Sequence, residues 1–411
     1  MRVLIFSHGH PTFSKGGGEL AAYYLYKGIN ETSEHEAWFV GRAPEDLLHP
    51  TTAIAVSNDR EYLIKGSAGI PELTTTIELG RESDFAAMLR TIQPDVVHFH
   101  HYVLLGVEMI RAVKRICPDA LIVLTLHEFI AICMNNGQMV KTDGRLCHHY
   151  SPRECHLCFP HKTPEDFFLR EQYIKSFFRL VDLFISPSEF LKERYAKWGL
   201  RGSRFEVVEN GLPEGERIPL RPLHAAEIRG RFAYFGQINP YKGVEVVLEA
   251  FTRLSKEMRK QVTLDIFGSA LKNQTPEFQE KIEKLLKKGK DIVHLHGPYE
   301  PEEMGRLMEE VDWVVMGSIW WENSPLVIQE AYKFGRPVIC PDIGGMAEKV
   351  KPGVGGLHYR ARDSVSLASV INRIVEDPGL FDALYKSLPA YPPIDEITEK
   401  HIELYKKVKV H

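Results

Sequence analysis

Two glutamates that flank a short apolar run could bind one ligand together. Glu322 and Glu330 lie in the sequence ENSPLVIQE, where Pro325 predicts the start of a helix because proline suits a first helical turn. The free N–H groups of that turn attract phosphate, and ionised carboxylates accept hydrogen bonds from hydroxyls. A molecule with a phosphate in its middle and hydroxyl-rich groups at both ends, such as a nucleotide-sugar, fits this arrangement.

This block, together with the EAYKFGRPV that completes it, resembles the Glu-(seven residues)-Glu motif of retaining glycosyltransferases of family 4, which have the GT-B fold. The resemblance implies that Glu322 contacts hydroxyls of the donor sugar and that Glu330 binds the ribose of the nucleotide. Backbone amides just after the first glutamate, around Ser324 to Val327, would hold the diphosphate. The donor-binding segment as a whole is Asn323, Ser324, Pro325, Leu326 and Val327. For two bare glutamates, a charged loop before a half-buried helix would be the better explanation. The apolar insert, the proline and the GRPV exit argue against it.

Composition indicates an ordinary soluble protein of more than one domain. The chain has 411 residues, and domains usually have about 150, so two domains are expected. The hydrophobic fraction of 44% is enough for buried cores, and a net charge of −4 does not favour nucleic-acid binding. The N-terminal MRVLIFSHGH is typical of a buried strand rather than a signal peptide, and no apolar run approaches the roughly 20 residues of a membrane span. We therefore expect a cytoplasmic protein.

Short apolar strands alternate with helical patterns along the whole chain, which predicts parallel sheets covered on both faces. The strands predicted in the first half are Arg2–Ser7, Ala37–Val40, Asp95–Phe99, Leu121–Leu126, Leu183–Ser186 and Phe205–Val208. Those predicted in the second half are Phe232–Phe235, Thr263–Phe267, Ile292–Leu295, Trp313–Met316 and Val338–Cys340. Two such series predict an α/β protein of two doubly wound, Rossmann-like domains. In the GT-B fold these domains face a central cleft.

A break in the periodicity places the domain boundary. Glycine and proline cluster in Asn210–Leu223, so we expect an N-terminal domain over residues 1–212 and a C-terminal donor domain over 213–391. The segment Ile394–Val408 predicts an amphipathic helix. By analogy with the GT-B fold, we place residues 392–411 on the first domain.

Two further loops could contact the phosphates. Gly16, Gly17 and Gly18 precede a helix that we expect to begin near Glu19, and such glycines permit close approach of the backbone to a phosphate. From these residues alone, a flexible surface loop is as good an explanation. Family 4 enzymes commonly have a glycine-rich loop here, which favours donor binding.

Lys242 follows a predicted strand and could stabilise a departing diphosphate, although a lone lysine is more often simply solvated. Lys242 and Gly243 agree with the family pattern. Where that pattern has an arginine, this chain has Gln237, which can donate hydrogen bonds but carries no charge.

Residues at other strand ends complete the predicted site. Gly268 and Gly297 lie where ligands bind in parallel sheets. By resemblance, backbone groups near Tyr299 hold the base, with its ring as a stacking surface. His127 follows a first-domain strand, and the resemblance places it beside the donor sugar and the acceptor. We interpret His98, His100 and His101 as weaker candidates, one facing inward and the others on the acceptor side.

The same reasoning assigns the catalytic roles to His127, Glu322 and Lys242. No Asp-x-Asp pair follows a strand, so no divalent cation is expected in the transfer step, and the helix dipole and Lys242 would take the phosphate charge. Retention of anomeric configuration follows from the resemblance alone. Without an evident nucleophile, we favour attack on the same face, assisted by the leaving phosphate.

Four cysteines fall within one segment, which we interpret as an insert over residues 133–162. Cys155 and Cys158 have the spacing of a metal-binding pair, and Cys133 and Cys147 would complete a four-thiolate site. Zinc is the first choice and an iron–sulfur cluster the second, with free thiols and disulfides as alternatives. The metal would fold the insert above the acceptor side.

Downstream of the insert, EDFFLREQYIKSFFRLVDLF predicts an aromatic amphipathic helix. We interpret its stripe as domain core, with peripheral membrane contact near a lipid-linked acceptor as the alternative. The combined prediction is a nucleotide-sugar-dependent glycosyltransferase that acts on a saccharide, lipid-linked or small-molecule acceptor. A sugar phosphorylase, an epimerase, a non-catalytic nucleotide-sugar binder and a metal-dependent assembly subunit are the alternatives. Gln237 keeps the non-catalytic reading open.

Overall fold

The structure is a computed structural model that describes residues 1–44, 46–49, 51–67 and 73–409. The chain forms two compact units. One consists of Met1–Pro213 together with Pro392–His411, and the other of Glu214–Tyr391. In the described ranges, no helix is both long and apolar enough to span a membrane.

The first unit is built on one sheet. Its strands are β1 (Arg2–Ser7), β2 (Glu36–Arg42), β3 (Ile54–Asn58), β4 (Glu61–Ile64), β5 (Val96–Phe99), β6 (Leu121–Thr125), β7 (Leu183–Ser186) and β8 (Phe205–Val207). They lie in the order β3-β4-β2-β1-β5-β6-β7-β8, with parallel neighbours except for the antiparallel β3 and β4. The central strands β5, β6 and β7 are buried at every residue, as expected of a sheet covered on both faces.

Helices cover this sheet and bring the C-terminus back onto it. They are α1 (Gly17–Thr32), α2 (Asp84–Ile92), α3 (Glu108–Ile116), α4 (Pro152–Cys158), α5 (Pro164–Phe178), α6 (Glu189–Lys197) and the C-terminal helix (Ile394–Lys409). The C-terminal helix packs against α1 and contributes Tyr405 and Ile397 to a core shared with β1 and β6. A hydrogen bond from Ile394 N to the Leu212 carbonyl oxygen, 2.8 Å long, fixes its first turn.

The second unit has the same architecture. Its strands are β9 (Arg231–Phe235), β10 (Thr263–Phe267), β11 (Val293–Gly297), β12 (Trp313–Val315), β13 (Val338–Pro341), β14 (Lys351–Pro352) and β15 (Gly355–Tyr359). All neighbours are parallel, in the order β11-β10-β9-β12-β13-β15-β14. The order reverses between β9 and β12, because β10 and β11 extend from β9 on one side while β12 and β13 extend on the other. That reversal is a topological switch point, where ligands bind in sheets of this type.

Two apolar cores cover the faces of the second sheet. Its helices are α7 (Val244–Arg253), α8 (Lys256–Arg259), α9 (Pro276–Lys288), α10 (Met304–Met308), α11 (Leu326–Lys333), α12 (Gly344–Lys349), α13 (Ser364–Glu376) and α14 (Gly379–Lys386), so the C-terminal helix is α15. Alternate strand residues point to opposite faces. Phe232 and Tyr234 of β9 therefore join the core under α7 and α13, whereas Ala233 and Phe235 join the core under α11 and α12.

All of the predicted strands are present, with ends that differ by at most two residues, and the prediction of two doubly wound sheets is confirmed. Four strands were missed. β3 is largely exposed and antiparallel, β14 has two residues, and β4 (EYLI) and β15 (GGLHY) include polar or glycine residues, so none shows a continuous apolar run along its whole length.

Helix α5 contains the predicted aromatic stripe, and part of that stripe lies in the domain core. Phe167, Phe177 and Phe178 are buried. Phe168 and Leu169, however, are 52% and 62% exposed. The helix is therefore apolar on more of its circumference than the domain core covers.

Candidate active site

The site is best defined in the second unit, at the carboxyl ends of the adjacent strands β9 and β12. The loop after β9 has a 3-10 turn, Pro240–Lys242, whose two N–H groups at Tyr241 and Lys242 donate to the Asn239 side chain at 3.0 Å. The loop after β12 leads through Ser318 and Glu322 to α11. Both loops therefore leave the sheet at its switch point.

Two glycines allow these loops to touch. Gly243 has φ +61°, and a Cβ placed on it would lie 2.0 Å from the Gly317 carbonyl oxygen. A Cβ on Gly317 would in turn lie 2.3 Å from the Gly243 carbonyl oxygen. The Ile319 N–H also donates to the Tyr241 carbonyl oxygen at 2.9 Å. This contact between backbones brings Lys242 next to Glu322.

Glu322 is buried and accepts three hydrogen bonds on one oxygen. Lys242 Nζ lies 2.6 Å from Glu322 Oε1, Ser318 Oγ lies 2.7 Å away and Trp320 Nε1 lies 3.0 Å away. Glu322 is only 6% exposed. Among the described residues no hydrogen bond reaches Oε2, so this oxygen can accept from a ligand. The Lys242 ammonium also lies 5.5 Å from the centre of the Trp320 ring.

The loop that carries Glu322 is fixed from several sides. The Arg362 guanidinium donates to the Ile319 carbonyl oxygen at 3.0 and 3.1 Å, and the Gly345 N–H donates to the Glu322 carbonyl oxygen at 2.6 Å. A Cβ on Gly345 would lie 1.7 Å from the Asn323 carbonyl oxygen, so a glycine is required there. The carboxylate is therefore held on a rigid support.

Helix α11 directs its N-terminus into the same region. It begins at Leu326, one residue after the predicted start, and Pro325 precedes it in extended conformation. The first N–H groups of a helix have no acceptor within the helix, so those around Leu326 and Val327 are available to an anion. Glu322 lies on the approach loop and Glu330 within the helix, as the motif predicts.

The Glu330 carboxylate and Tyr299 interact electrostatically. Burial raises the pKa of Glu330 to about 7, and Lys333 opposes that shift. Burial also raises the pKa of Tyr299, and the Glu330 carboxylate raises it further. The Tyr299 ring packs edge-on against Phe235, with ring centres 5.5 Å apart. The residues predicted to bind the ribose and the base are therefore electrostatically coupled.

Three strand-end glycines lie side by side next to Tyr299. Gly236, Gly268 and Gly297 end the adjacent strands β9, β10 and β11, and Gly268 N donates to the Gly297 carbonyl oxygen at 2.7 Å. Gly297 has φ +91°, and a Cβ there would meet no atom of the described chain within 4 Å. Gln237 is exposed, with its Oε1 accepting from Asn239 at 3.2 Å, and brings no charge to the site.

In the first unit, the glycine-rich loop runs directly into α1. Gly16 precedes the helix, which begins at Gly17, two residues before the predicted start. A Cβ on Gly18 would lie 2.5 Å from His101 Nε2, so the glycine makes room for this imidazole. The Glu19 carboxylate is buried beside the loop and accepts from Ser14 Oγ at 2.6 Å.

His127 packs against buried histidines of that unit. Its Nε2 lies 3.0 Å from His100 Nδ1, and its ring stacks on that of His101 at 5.0 Å. Burial is the main cause that lowers the pKa of His127 to about 3, and the charges of His8 and His401 contribute to the same shift. His127 is therefore a neutral hydrogen-bonding group at physiological pH. His98 is structural, since it lies 2.7 Å from both Tyr405 Oη and Thr125 Oγ1.

The predicted metal site is not supported. Within the residues that the structure describes, no group of three or more His, Cys, Asp or Glu side chains could hold a metal ion. Burial raises the pKa of Cys133 to about 11 and that of Cys155 to about 12. Cys147 Sγ donates to the His149 carbonyl oxygen at 3.3 Å. The assignment of zinc or an iron–sulfur cluster to Cys133, Cys147, Cys155 and Cys158 is therefore withdrawn.

Sequence reasoning missed two residues of the site. Ser318 and Trp320 both donate to Glu322, but nothing in the sequence distinguishes them from ordinary loop residues. The one available signal is their position four and two residues before the glutamate.

Two family descriptions match the chain. Residues 15–215 match "Glycosyltransferase Family 4", and residues 223–388 match "Glycosyl transferases group 1". Lipopolysaccharide 1,2-N-acetylglucosaminetransferase of Salmonella typhimurium is 30% identical over 204 residues, which are 47% of this chain and 53% of that protein. The chain thus spans about half the length of that relative. Glycogen synthase of Mycobacterium tuberculosis is 27% identical over 397 residues, which are 92% of this chain and 87% of that protein.

Solved structures share the fold over the whole chain. Sucrose-phosphate synthase from Thermosynechococcus elongatus aligns with a TM-score of 0.71 at 18% identity, over 100% of this chain and 99% of that one. Anabaena HepE in complex with UDP and glucose aligns with a TM-score of 0.66 at 18% identity, over 99% of each chain. At these identities the similarity shows the fold, which is GT-B.

Proposed function

We propose that this chain, which belongs to glycosyltransferase family 4, transfers a sugar from a nucleotide-sugar to an acceptor hydroxyl with retention of anomeric configuration. The observation that carries this proposal is the pairing of Lys242 with the buried Glu322 at the switch point of the second sheet, beside the start of α11. One cation, one carboxylate and a helix N-terminus are the groups that a sugar diphosphate needs.

The donor would lie along the carboxyl edge of the second sheet. Its diphosphate binds the N–H groups at the start of α11 and the Lys242 ammonium, and its sugar hydroxyls donate to Glu322 Oε2. The ribose hydroxyls bind Glu330, and the base lies near Tyr299. The electrostatic interaction between these two side chains supports placing ribose and base in the same part of the site.

Charge on the departing diphosphate is stabilised by the protein itself in this proposal. Lys242 supplies one positive charge, and the α11 dipole supplies a partial one. Gln237 can add hydrogen bonds only. No divalent cation is therefore required for transfer.

The reaction exchanges one bond for another on the same face of the sugar. The bond from the anomeric carbon to the diphosphate oxygen breaks, and a bond to the acceptor oxygen forms. The acceptor proton passes to the leaving phosphate oxygen. In the first unit, the neutral His127 would offer its ligand a hydrogen bond and no charge.

Relatives indicate which donors to test first. The Anabaena HepE structures contain UDP, UDP-glucose, or UDP with glucose, and the Salmonella relative is named for N-acetylglucosamine transfer. The acceptor is a glycan, a lipid-linked saccharide or a small molecule. A lipid-linked acceptor is supported by the exposed Phe168 and Leu169 of α5, which could rest on a membrane surface.

A donor screen tests the proposal. UDP-, GDP- and ADP-sugars are incubated with mixed acceptors, released nucleoside diphosphate is measured, and the anomeric configuration of the product is read by NMR. Retention with one nucleotide class is expected, and Glu330→Ala should weaken donor binding. An inverted product would refute the stereochemistry. Donor binding without turnover on any acceptor would favour a non-catalytic binder.

A further inference from the structure

We propose that the Lys242–Glu322 ion pair makes the site prefer an intact nucleotide-sugar over the nucleoside diphosphate that transfer leaves behind. This inference rests on the proposed function. It assigns Trp320 and Ser318 as positioning residues for Glu322, a role that no sequence signal predicts. The ion pair therefore affects which of the two ligands binds more tightly, in addition to contacting the ligand.

Before a ligand binds, the Glu322 carboxylate is almost fully shielded from water. It is 6% exposed, so its negative charge is stabilised mainly by the hydrogen-bond donors around it. Two of these donors, Ser318 and Trp320, are neutral, and the third is the Lys242 ammonium at 2.6 Å. A buried carboxylate that loses its cation is strongly destabilised. A ligand that attracts Lys242 away from Glu322 must therefore replace the stabilisation of the buried negative charge.

The nucleotide-sugar and the nucleoside diphosphate differ in what they offer Glu322. The diphosphate of either ligand attracts Lys242, whose side chain is 31% exposed and can rotate about its flexible stem. A nucleotide-sugar brings hydroxyls that can donate to Glu322 Oε2 and replace the lost interaction. A nucleoside diphosphate has no sugar at that position, so the buried charge of Glu322 loses its cation without gaining a hydroxyl donor. That cost should lower the affinity for the nucleoside diphosphate.

Trp320 and Ser318 hold Glu322 in position. Both donate to Oε1, the oxygen that also accepts from Lys242, so Oε2 stays available to a ligand. Their loop is held by Arg362 and Gly345, so they cannot follow the lysine when it moves. They fix the carboxylate in place and carry part of its compensation once the ammonium has left.

Selectivity is measured as the ratio of two dissociation constants in each variant. Calorimetry gives the Kd of UDP and UDP-glucose, and in parallel those of GDP and GDP-mannose, without acceptor. In Glu322→Gln the buried charge is gone, so we expect the nucleotide to bind more tightly than in the native protein. The donor should bind no better, and the preference for the donor should fall about ten-fold.

Trp320→Phe should change the ratio in the opposite direction. It removes one neutral donor, so Glu322 depends more on Lys242, and the nucleotide alone should lose more affinity than the donor does. Glu330→Gln is the matched control, because the ribose it contacts is common to both ligands and the ratio should not move. Ser318→Ala should act as Trp320→Phe does and replaces it if the latter fails to fold.

The outcomes separate the two proposals. If neither ligand pair binds the native protein, the donor assignment fails and this inference fails with it. If a nucleotide-sugar and its nucleoside diphosphate both bind, but Glu322→Gln leaves the Kd of the nucleoside diphosphate unchanged or raises it, the donor assignment stands and the ion-pair inference is wrong. Equal weakening of both ligands in Trp320→Phe would show that the indole only supports the loop.

Discussion

Glu330 offers the sharpest test of the site, because its ionisation should affect both stability and donor binding. The pKa of this carboxyl rises from 4.5 to about 7 in the folded protein, with burial as the main cause. The folded state therefore holds the proton to higher pH than the unfolded chain does. The unfolding free energy should fall as pH rises from about 4.5 to about 7 and then stay level with respect to this group.

The size of the effect follows from the same values. A pKa difference of this size corresponds to about 3 kcal/mol, and partial exposure of the residue reduces it to about 2 kcal/mol. For a unit as large as the second one, about 2 kcal/mol shifts the melting temperature by roughly 4 to 8 °C. Glu330→Gln cannot ionise, so between pH 5 and pH 8 it should gain this amount relative to the native protein.

Donor binding should depend on pH in the opposite sense. The ionised Glu330 accepts the ribose hydroxyls, so the Kd of the nucleoside diphosphate should rise up to about ten-fold per pH unit below 7. Glu330→Gln should lack this dependence. Comparing the two proteins with the same ligand cancels ionisation of the phosphates. If the native protein and Glu330→Gln show the same pH dependence of the melting temperature, or the same pH dependence of the Kd, the reasoning is refuted.

Four further results are expected. Gly243→Ala should destabilise the protein by about 1 to 3 kcal/mol, because φ is +61° and the new Cβ would clash with Gly317, and denaturant unfolding measures this. Chelation by EDTA should leave turnover unchanged, because Lys242 and α11 supply the positive charge, and a loss restored by Mg²⁺ would contradict this. Phe168→Ser with Leu169→Ser should not alter the melting temperature, since both side chains are exposed, but should reduce flotation with vesicles if the acceptor is lipid-linked. His127 should not titrate in activity profiles between pH 5 and pH 8, because its pKa is about 3, and a limb that disappears in His127→Gln would show otherwise.

Local patterns in the sequence were sufficient for the fold class and for part of the site. Continuous apolar strands between helices identify buried parallel sheets, because both faces of each strand must be covered. Pro325 and the spacing of Glu322 and Glu330 predict a loop and a helix, since those features act within a few residues. The strands that were missed are exposed, or contain polar residues or glycines, and so lack a continuous apolar run.

Only the tertiary structure determined which charged groups pair with each other and which side chains are neutral. Lys242 and Glu322 are 80 residues apart in sequence, and they meet only because β9 and β12 are neighbours and Gly243 packs on Gly317. Burial decided that Cys133 stays a thiol, that His127 is neutral and that Glu330 titrates near pH 7. Sequence specifies which side chains are present, but pKa values and partners depend on distance and on exclusion of water, which arise only once distant segments have packed.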